Sequence, residues 1–374
     1  MGDREYKFSA IVEPEILRIT SNVNYLPGNI ISPILSERDQ ADSNKRYQIE
    51  IIFEVSDSIR LQTKTLKYLS NFYNWYYIEN DNTLIYYAPF GGLVAIVEGF
   101  DTFEVYIRVS SRYYYTFLNG VTKVGKIYSP FKILQDVIVL KLIENNIVPI
   151  HCSGVSDDNF AYLFFAPPNT GKSYIVYNLV KKEKNLKFLS DDIALLSKDK
   201  RVYPNLNALT LNIDWEKYLT GISKKLRFRL FKIFRNKPPF KYFPLPIYPP
   251  KLNIPTLVRR VYFNKIARGG EQIKNIFFLH KHNKRNVEKL TRDRIFRKLL
   301  LLNSAELDID SSLLLHAYSY YVDESYKDTI LKNYTNILSK VSNDTKIEVF
   351  EITGTSVGDY YEIAKKIIQK HQQY

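Results

Sequence analysis

The sequence predicts an α/β protein with an N-terminal β-rich region and a following region where strands alternate with helices. Three observations predict it. Residues 1–120 read mostly as short β-branched and aromatic runs broken by polar turns. From Ser129 onward the apolar period lengthens to that of a helix. The stretch YLFFAPPNTGKSYIVYNLV, Tyr162–Val180, reads as a strand, a tight loop and a helix. The change of period divides the chain into 1–125 and 126–374.

The elements follow in chain order. Ser36–Asn44 is polar and reads as a loop. RYQIEIIFEVS (Arg46–Ser56) alternates partly and is β-branched, which predicts a strand. NWYYIENDNTLIYYAPF has two aromatic runs around Asn80-Asp81-Asn82, a hairpin signal, and GGLVAIVEGFDTFEVYIRVS repeats it around Gly99-Phe100-Asp101. In SPFKILQDVIVLKLIENN, Ser129 is an N-cap candidate, Pro130 suits the first turn, and Ile133, Val137, Leu140 and Ile143 recur at helical spacing. Ile147–Ile150 is a short apolar run ending at His151, and Ala161–Phe165 is the strand before the loop. LKFLSDD (Leu186–Asp192) predicts a buried strand ending in two acids, and IALLSKDKRVYPN a hairpin turning at Lys198-Asp199-Lys200. Seven prolines fall between Pro238 and Pro255. Further strands are expected at Ile276–Leu279 and Lys346–Ile352, and helices at Arg292–Asn303, Asp323–Ser342 and Tyr360–Lys370.

The chain has 374 residues, 45% of them apolar, enough for a substantial core. No run approaches the ~18 apolar residues of a membrane span. The charged start, Met1–Lys7, has no apolar segment behind it, and Tyr6 stands where a myristoylation motif wants Ser or Thr. Cys152 is the only cysteine, so no internal disulfide forms. These features lead to the expectation of a soluble, cytoplasmic protein. The net charge of +14 is unevenly placed: Lys217–Lys298 holds 23 Lys/Arg against three acids, Glu271, Glu288 and Asp293.

The loop Ala166-Pro167-Pro168-Asn169-Thr170-Gly171-Lys172-Ser173 has the form of a phosphate-binding loop with Ala in place of the usual first Gly. Such a loop works because successive backbone N–H groups and a helix N-terminus face the anion, while the lysine reaches the β/γ phosphates. The Ser hydroxyl binds Mg²⁺. Ala166 is small enough to start the turn. Pro167 and Pro168 lack N–H groups, but the donors that matter most come later, from Asn169 to Ser173. The pattern alone occurs by chance; its placement between a strand and a helix argues against chance. Ser190-Asp191-Asp192 closes the next predicted strand. In a parallel sheet the strand ends gather at one crevice, so both carboxylates would face a nucleotide-bound Mg²⁺. Standing alone, the pair would read equally as a solvated turn.

Lys172 and Asp191 are nineteen residues apart, and His151 stands fifteen residues before Ala166. This short spacing with a double Asp and an upstream His resembles the HPr kinase/phosphorylase family and, more distantly, phosphoenolpyruvate carboxykinase. The resemblance covers about His151 to Pro204, including RVYPN. It implies a phosphate-loop kinase core with Mg²⁺ as cofactor and ATP, ADP or pyrophosphate as the donor. It also implies roles: Lys172 on the β/γ phosphates, Ser173 on Mg²⁺, one of Asp191 and Asp192 as base toward a serine hydroxyl, the other assisting the metal. Asp191, first after the strand, is the expected base and Asp192 the metal carboxylate. His151 would lie near the transferred phosphate; its second reading is a core histidine. Two departures stand out. Tyr174 follows Lys172-Ser173 where HPr kinase has Glu, and the downstream Gly-rich signature linked to the phosphorylase reaction has no clear counterpart.

Within the basic block, Ile222, Leu226, Leu230 and Phe234 fall at helical spacing among Lys224, Lys225, Arg227, Arg229, Lys232 and Arg235. The readings are a solvated helix over the core, a site for an acidic acceptor, or a contact with nucleic acid or anionic membrane. ARGGEQ (Ala267–Gln272) reads as a loop over the phosphates or as a turn, and His280 and His282 as surface residues. The functional expectation is a Mg-nucleotide-dependent kinase acting on a hydroxyl, serine of a protein, peptide or small molecule. The alternative is a nucleotide-dependent regulatory or polyanion-binding protein without phosphate transfer. Both Asp191 and Asp192 favour the kinase, because binding alone needs one metal carboxylate. Oligomeric state stays open, a homo-oligomer included.

Overall fold

A computed structural model describes residues 8–12, 16–23, 47–57, 59, 74–78, 83–88, 93–117, 123–124, 127–157, 159–168, 170–204, 267, 269–307 and 309–372. The Ser36–Asn44 loop, the Asn80–Asn82 turn, Asn169, Arg268, and the basic helix and prolines expected between Lys217 and Ile266 lie outside the described residues. Among the described residues the fold is mixed α/β, with two large mixed sheets and seven helices. No described helix is long and apolar enough to cross a membrane.

The first sheet comes from β1 (Phe8–Val12), β2 (Leu17–Ser21), β3 (Ile49–Ser56), β4 (Trp75–Ile78), β5 (Thr83–Ala88), β6 (Leu93–Glu98) and β7 (Glu104–Ser110), in the order β1-β2-β3-β7-β6-β5-β4. Strands β2, β3 and β7 are parallel neighbours; the other pairs are antiparallel. A short helix α1 (Ser111–Thr116) and a two-stranded ribbon, β8 (Lys123–Val124) and β9 (Ile127–Tyr128), lead to α2 (Pro130–Glu144). Helix α2 begins as expected: Ser129 Oγ accepts from Lys132 N at 3.0 Å and Pro130 fills the first turn.

The second sheet takes β10 (Ile147–Ile150), β11 (Ser153–Ser156) and β12 (Phe160–Phe165). After α3 (Lys172–Lys182) come β13 (Lys187–Ser190), β14 (Ala194–Ser197), β15 (Arg201–Pro204), β16 (Glu271–Lys281) and β17 (Asn286–Lys289). Helices α4 (Arg292–Leu307), α5 (Leu313–Tyr321) and α6 (Tyr326–Ser342), strand β18 (Glu348–Gly354) and α7 (Val357–Gln372) complete the chain. The order is β10-β14-β15-β16-β12-β11-β13, with β18 parallel on β16 and β17 antiparallel on β18.

The run AYLFF in β12 is apolar at every position because both faces of this strand are covered. Tyr162 and Phe164 face one core with Ile175, Leu179, Tyr360 and Ala364 of α3 and α7. Ala161, Leu163 and Phe165 face the other, with Leu134, Leu299 and Leu338 of α2, α4 and α6. Strand β16 alternates the same way: Phe277 and Leu279 on one side, Ile276 and Phe278 on the other.

Two expectations need correcting. The sheet is mixed rather than parallel: β12 and β16 are parallel, but β11 lies antiparallel between β12 and β13. Since β11 is antiparallel to both neighbours, β12 and β13 still run the same way and end on the same edge. The helix expected over Asp323–Ser342 starts at Tyr326, and residues 313–321 form a separate helix. Ser312 caps it, its Oγ accepting from Leu315 N at 3.3 Å. Its sequence LLLHAYSYY is too uniformly apolar to show a helical period.

Candidate active site

The site forms where a pair of strands breaks. Strands β10 and β11 are two halves of one run, interrupted at His151-Cys152; β13 and β14 are two halves of another, interrupted at Asp191–Ile193. The halves pair crosswise, β10 with β14 and β11 with β13. The two interruptions therefore face each other. A kink frees side chains from the alternation of a flat ladder and lets several converge on one point. Asp192 is a non-glycine residue at φ +65°, and Ile193 N donates to Asp191 O at 2.9 Å across it. This tight reversal points the two adjacent carboxylates into different surroundings.

Asp191 is fully buried. Its Oδ1 accepts from Ser173 Oγ at 2.7 Å and from Ser153 Oγ at 2.7 Å. Its Oδ2 has no hydrogen-bond partner among the described residues. Burial pushes its carboxyl up to about 6, with the neighbouring Asp192 charge adding to the rise and the two serine hydroxyls opposing it. Asp192 is half-exposed, and its Oδ1 stands 4.0 Å from His151 Nε2. His151 is itself buried, with its titration held below the ordinary range by burial and by the Lys172 charge. It is therefore neutral at neutral pH, and Nδ1 is unpartnered among the described residues.

The loop is pinned to this floor. Ala166 is buried, as the first position of a turn packed on the sheet requires. Pro167 and Pro168 are exposed and Thr170 Oγ1 donates to Pro167 O at 2.8 Å. Gly171 caps α3 at φ +107°, a conformation that penalises any side chain. Lys172 is buried, and its Nζ donates to Ala166 O at 2.7 Å. Burial lowers the Lys172 titration, while Asp192, Cys152, Asp191 and Glu306 act to raise it.

Three contributors carry no sequence signal. Ser153 reads as an ordinary small residue in a strand. Asn303 of α4 is fully buried; its Oδ1 accepts from His151 N at 2.6 Å and its Nδ2 donates to Leu299 O at 2.7 Å. Glu306, one turn further along α4, is close enough to act on both His151 and Lys172. Only their position, far along the chain and brought back by α4, reveals the last two. Cys152 is inert: burial pushes its thiol up to about 12. Gly269 and Gly270, both at positive φ, form a turn into β16, with Gly270 N donating to Val202 O at 2.9 Å.

Ser173 Oγ and Asp191 Oδ1 are the pair that could hold a divalent cation. Their 2.7 Å separation is near the ~3 Å between adjacent ligands of an octahedral Mg²⁺ with bonds of ~2.1 Å. Among the described residues no three His, Cys, Asp or Glu side chains form a metal cage. Comparison with protein-family models and with curated proteins finds no match for this chain.

Proposed function

We propose that this chain is a Mg²⁺- and nucleotide-dependent kinase that transfers a phosphoryl group to a hydroxyl, most simply that of a serine. The observation that carries the reading is the convergence on Asp191 of Ser173 from the loop and Ser153 from β11, beside Lys172 and the His151–Asp192 pair. The motif resemblance to HPr kinase over residues 151–204 supports the serine acceptor and ATP as donor.

The distances favour a division of labour opposite to that expected from chain order. Asp191 is sealed in and bonded to Ser173, so it suits the metal; Asp192 is half-exposed beside His151, so it suits the acceptor. In this reading Lys172 holds the β/γ phosphates, and Ser173 with Asp191 holds Mg²⁺, which would supply charge to neutralise the phosphate oxygens. Asp192 accepts the proton of the attacking hydroxyl, and neutral His151 orients that hydroxyl or the transferred group without adding charge. The backbone N–H groups at the start of α3 add fixed donors that need no reorganisation.

The test is phosphate transfer from labelled ATP to free serine, peptide pools and whole lysate, with calorimetric titration of Mg-ATP in parallel. Lys172→Ala should abolish nucleotide binding while leaving the fold intact; undiminished affinity would make the loop a chance match. The second reading, a polyanion-binding protein, finds support in the exposed connection from β16 to β17, which carries Lys281, Lys284 and Arg285 within five residues. Parent protein that binds Mg-ATP but labels no acceptor would favour it.

A further inference from the structure

We propose that the groove between α3 and α7 receives the nucleoside end of the nucleotide, with Tyr174 as the stacking surface for the base. This rests on the kinase reading above and extends it to residues outside the phosphate loop. The groove has a volume of about 360 Å³ and is walled by Tyr174 and Asn178 of α3, by Ser356 just before α7 and by Tyr361 and Glu362 within it. That volume lies in the range of small-molecule sites.

The α7 wall of the groove begins beside the loop. A Cβ placed on Gly171 would lie 2.7 Å from Val357 Cγ2, so the first residue of α7 touches the loop directly. Tyr174 is the residue after Ser173. At 1.5 Å rise per residue, Tyr174 and Asn178 stand about 3 Å and about 9 Å further along the α3 axis than Lys172. At about 100° per residue both lie on the side of α3 turned away from Lys172, so a chain of phosphates anchored at Lys172 reaches this groove by crossing the N-terminus of the helix at Gly171, where Val357 adjoins it.

The chemistry suits that occupant. Tyr174 is 52% exposed, one of few large aromatic side chains left open to solvent among the described residues. Its ring lies beside an amide, Asn178, which can pair with a base edge, and a carboxylate, Glu362, which can accept from ribose hydroxyls. The α7 wall is held in place: Asp359 Oδ2 accepts from Thr355 N at 3.0 Å and from Ser356 N at 3.1 Å, fixing the loop before the helix. Lys182 also lines the groove, its Nζ 4.6 Å from the Tyr361 ring centroid. Where the HPr kinase pattern has Glu after Lys-Ser, this chain has an aromatic ring, and the groove gives that ring a use.

The experiment is calorimetric titration of the full chain with Mg-ATP and with Mg-tripolyphosphate, which lacks the nucleoside. The parent should bind both, ATP more tightly. Tyr174→Ala should weaken ATP by about tenfold to a hundredfold and leave tripolyphosphate unchanged, and Tyr174→Phe should restore ATP affinity. Unchanged ATP affinity in Tyr174→Ala, or equal loss of both ligands, overturns the inference. A parent that binds tripolyphosphate as tightly as ATP also overturns it while sparing the phosphate-loop reading. A parent that binds neither ends both.

Discussion

At the scale of single residues, the two adjacent aspartates differ because the chain reverses between them, and their different surroundings lead to opposite predictions. Asp191 titrates at about 6 in the fold against an ordinary 3.8. A carboxyl raised in this way favours the folded state only while protonated. Its contribution is complete below the ordinary value and is lost as pH rises through the folded one. Above pH 6 the ionised, buried carboxylate should cost on the order of 2–3 kcal/mol. Asp191→Asn keeps both serine hydrogen bonds and removes the charge. In buffer without metal or nucleotide, it should match the parent at pH 4 and exceed it in denaturant stability at pH 8. A less stable variant at pH 8 would mean that the serine bonds outweigh desolvation. The same variant should bind Mg-nucleotide weakly, since the cation loses its anionic ligand. Asp192→Asn should behave differently: nucleotide affinity near that of the parent, with transfer reduced by ~10² or more, the usual contribution of a base. Transfer at the parent rate would remove Asp192 from the chemistry.

At the scale of elements, the strand–loop–helix unit and the two acids were legible because their signals are local. The apolar run of β12, the glycine that must take positive φ, and the lysine and serine opening α3 all sit within one short stretch. The Ser129 cap and the Lys198–Lys200 turn were legible for the same reason. What could not be read is the pairing of the two interrupted strands, which joins residues about forty positions apart. It is this pairing that sets His151 opposite Asp192 and makes Ser153 a partner of Asp191. The role of α4 was hidden more deeply. Its Asn303 is 152 residues from the His151 N–H it accepts, and no pattern distinguishes an inward-facing asparagine from an outward one. Asn303→Leu should expose that dependence: a buried N–H left unpaired costs ~1–3 kcal/mol. Because the same bond fixes the turn that carries His151, transfer should fall as well, with KM for nucleotide little changed. A variant with reduced stability but parent-like transfer would show that α4 supports the fold without positioning the histidine.

At the scale of the whole molecule, the boundary near residue 125 marks a change of period, yet the apolar core runs straight through it. One continuous cluster joins Leu17, Ile51, Ile107 and Val109 in the first sheet to Leu134, Leu299, Leu338 and Val349 around the second. The join is aromatic. Phe100, in the turn between β6 and β7, packs against Tyr318 of α5 at 4.7 Å and Tyr326 of α6 at 5.9 Å between ring centroids, with Lys141 Nζ of α2 at 4.7 Å from its ring. Tyr321 stacks on Tyr77 at 5.8 Å and donates from its hydroxyl to Trp75 O at 3.1 Å. Helices α2, α5 and α6 thus serve both sheets at once. Burial of this kind couples the halves, so the chain should unfold in one transition. Trp75 is fully packed in the first sheet, and Trp215→Phe leaves it as the sole tryptophan. In that background, denaturant titration followed by Trp75 fluorescence should give the same midpoint as loss of Mg-nucleotide binding in the second sheet. Phe100→Ala should lower both midpoints together, by an amount corresponding to ~3–5 kcal/mol for a buried phenylalanine. Fluorescence that melts first, with nucleotide binding persisting to a higher denaturant concentration, would show instead that the 126–374 region stands without the sheet that precedes it.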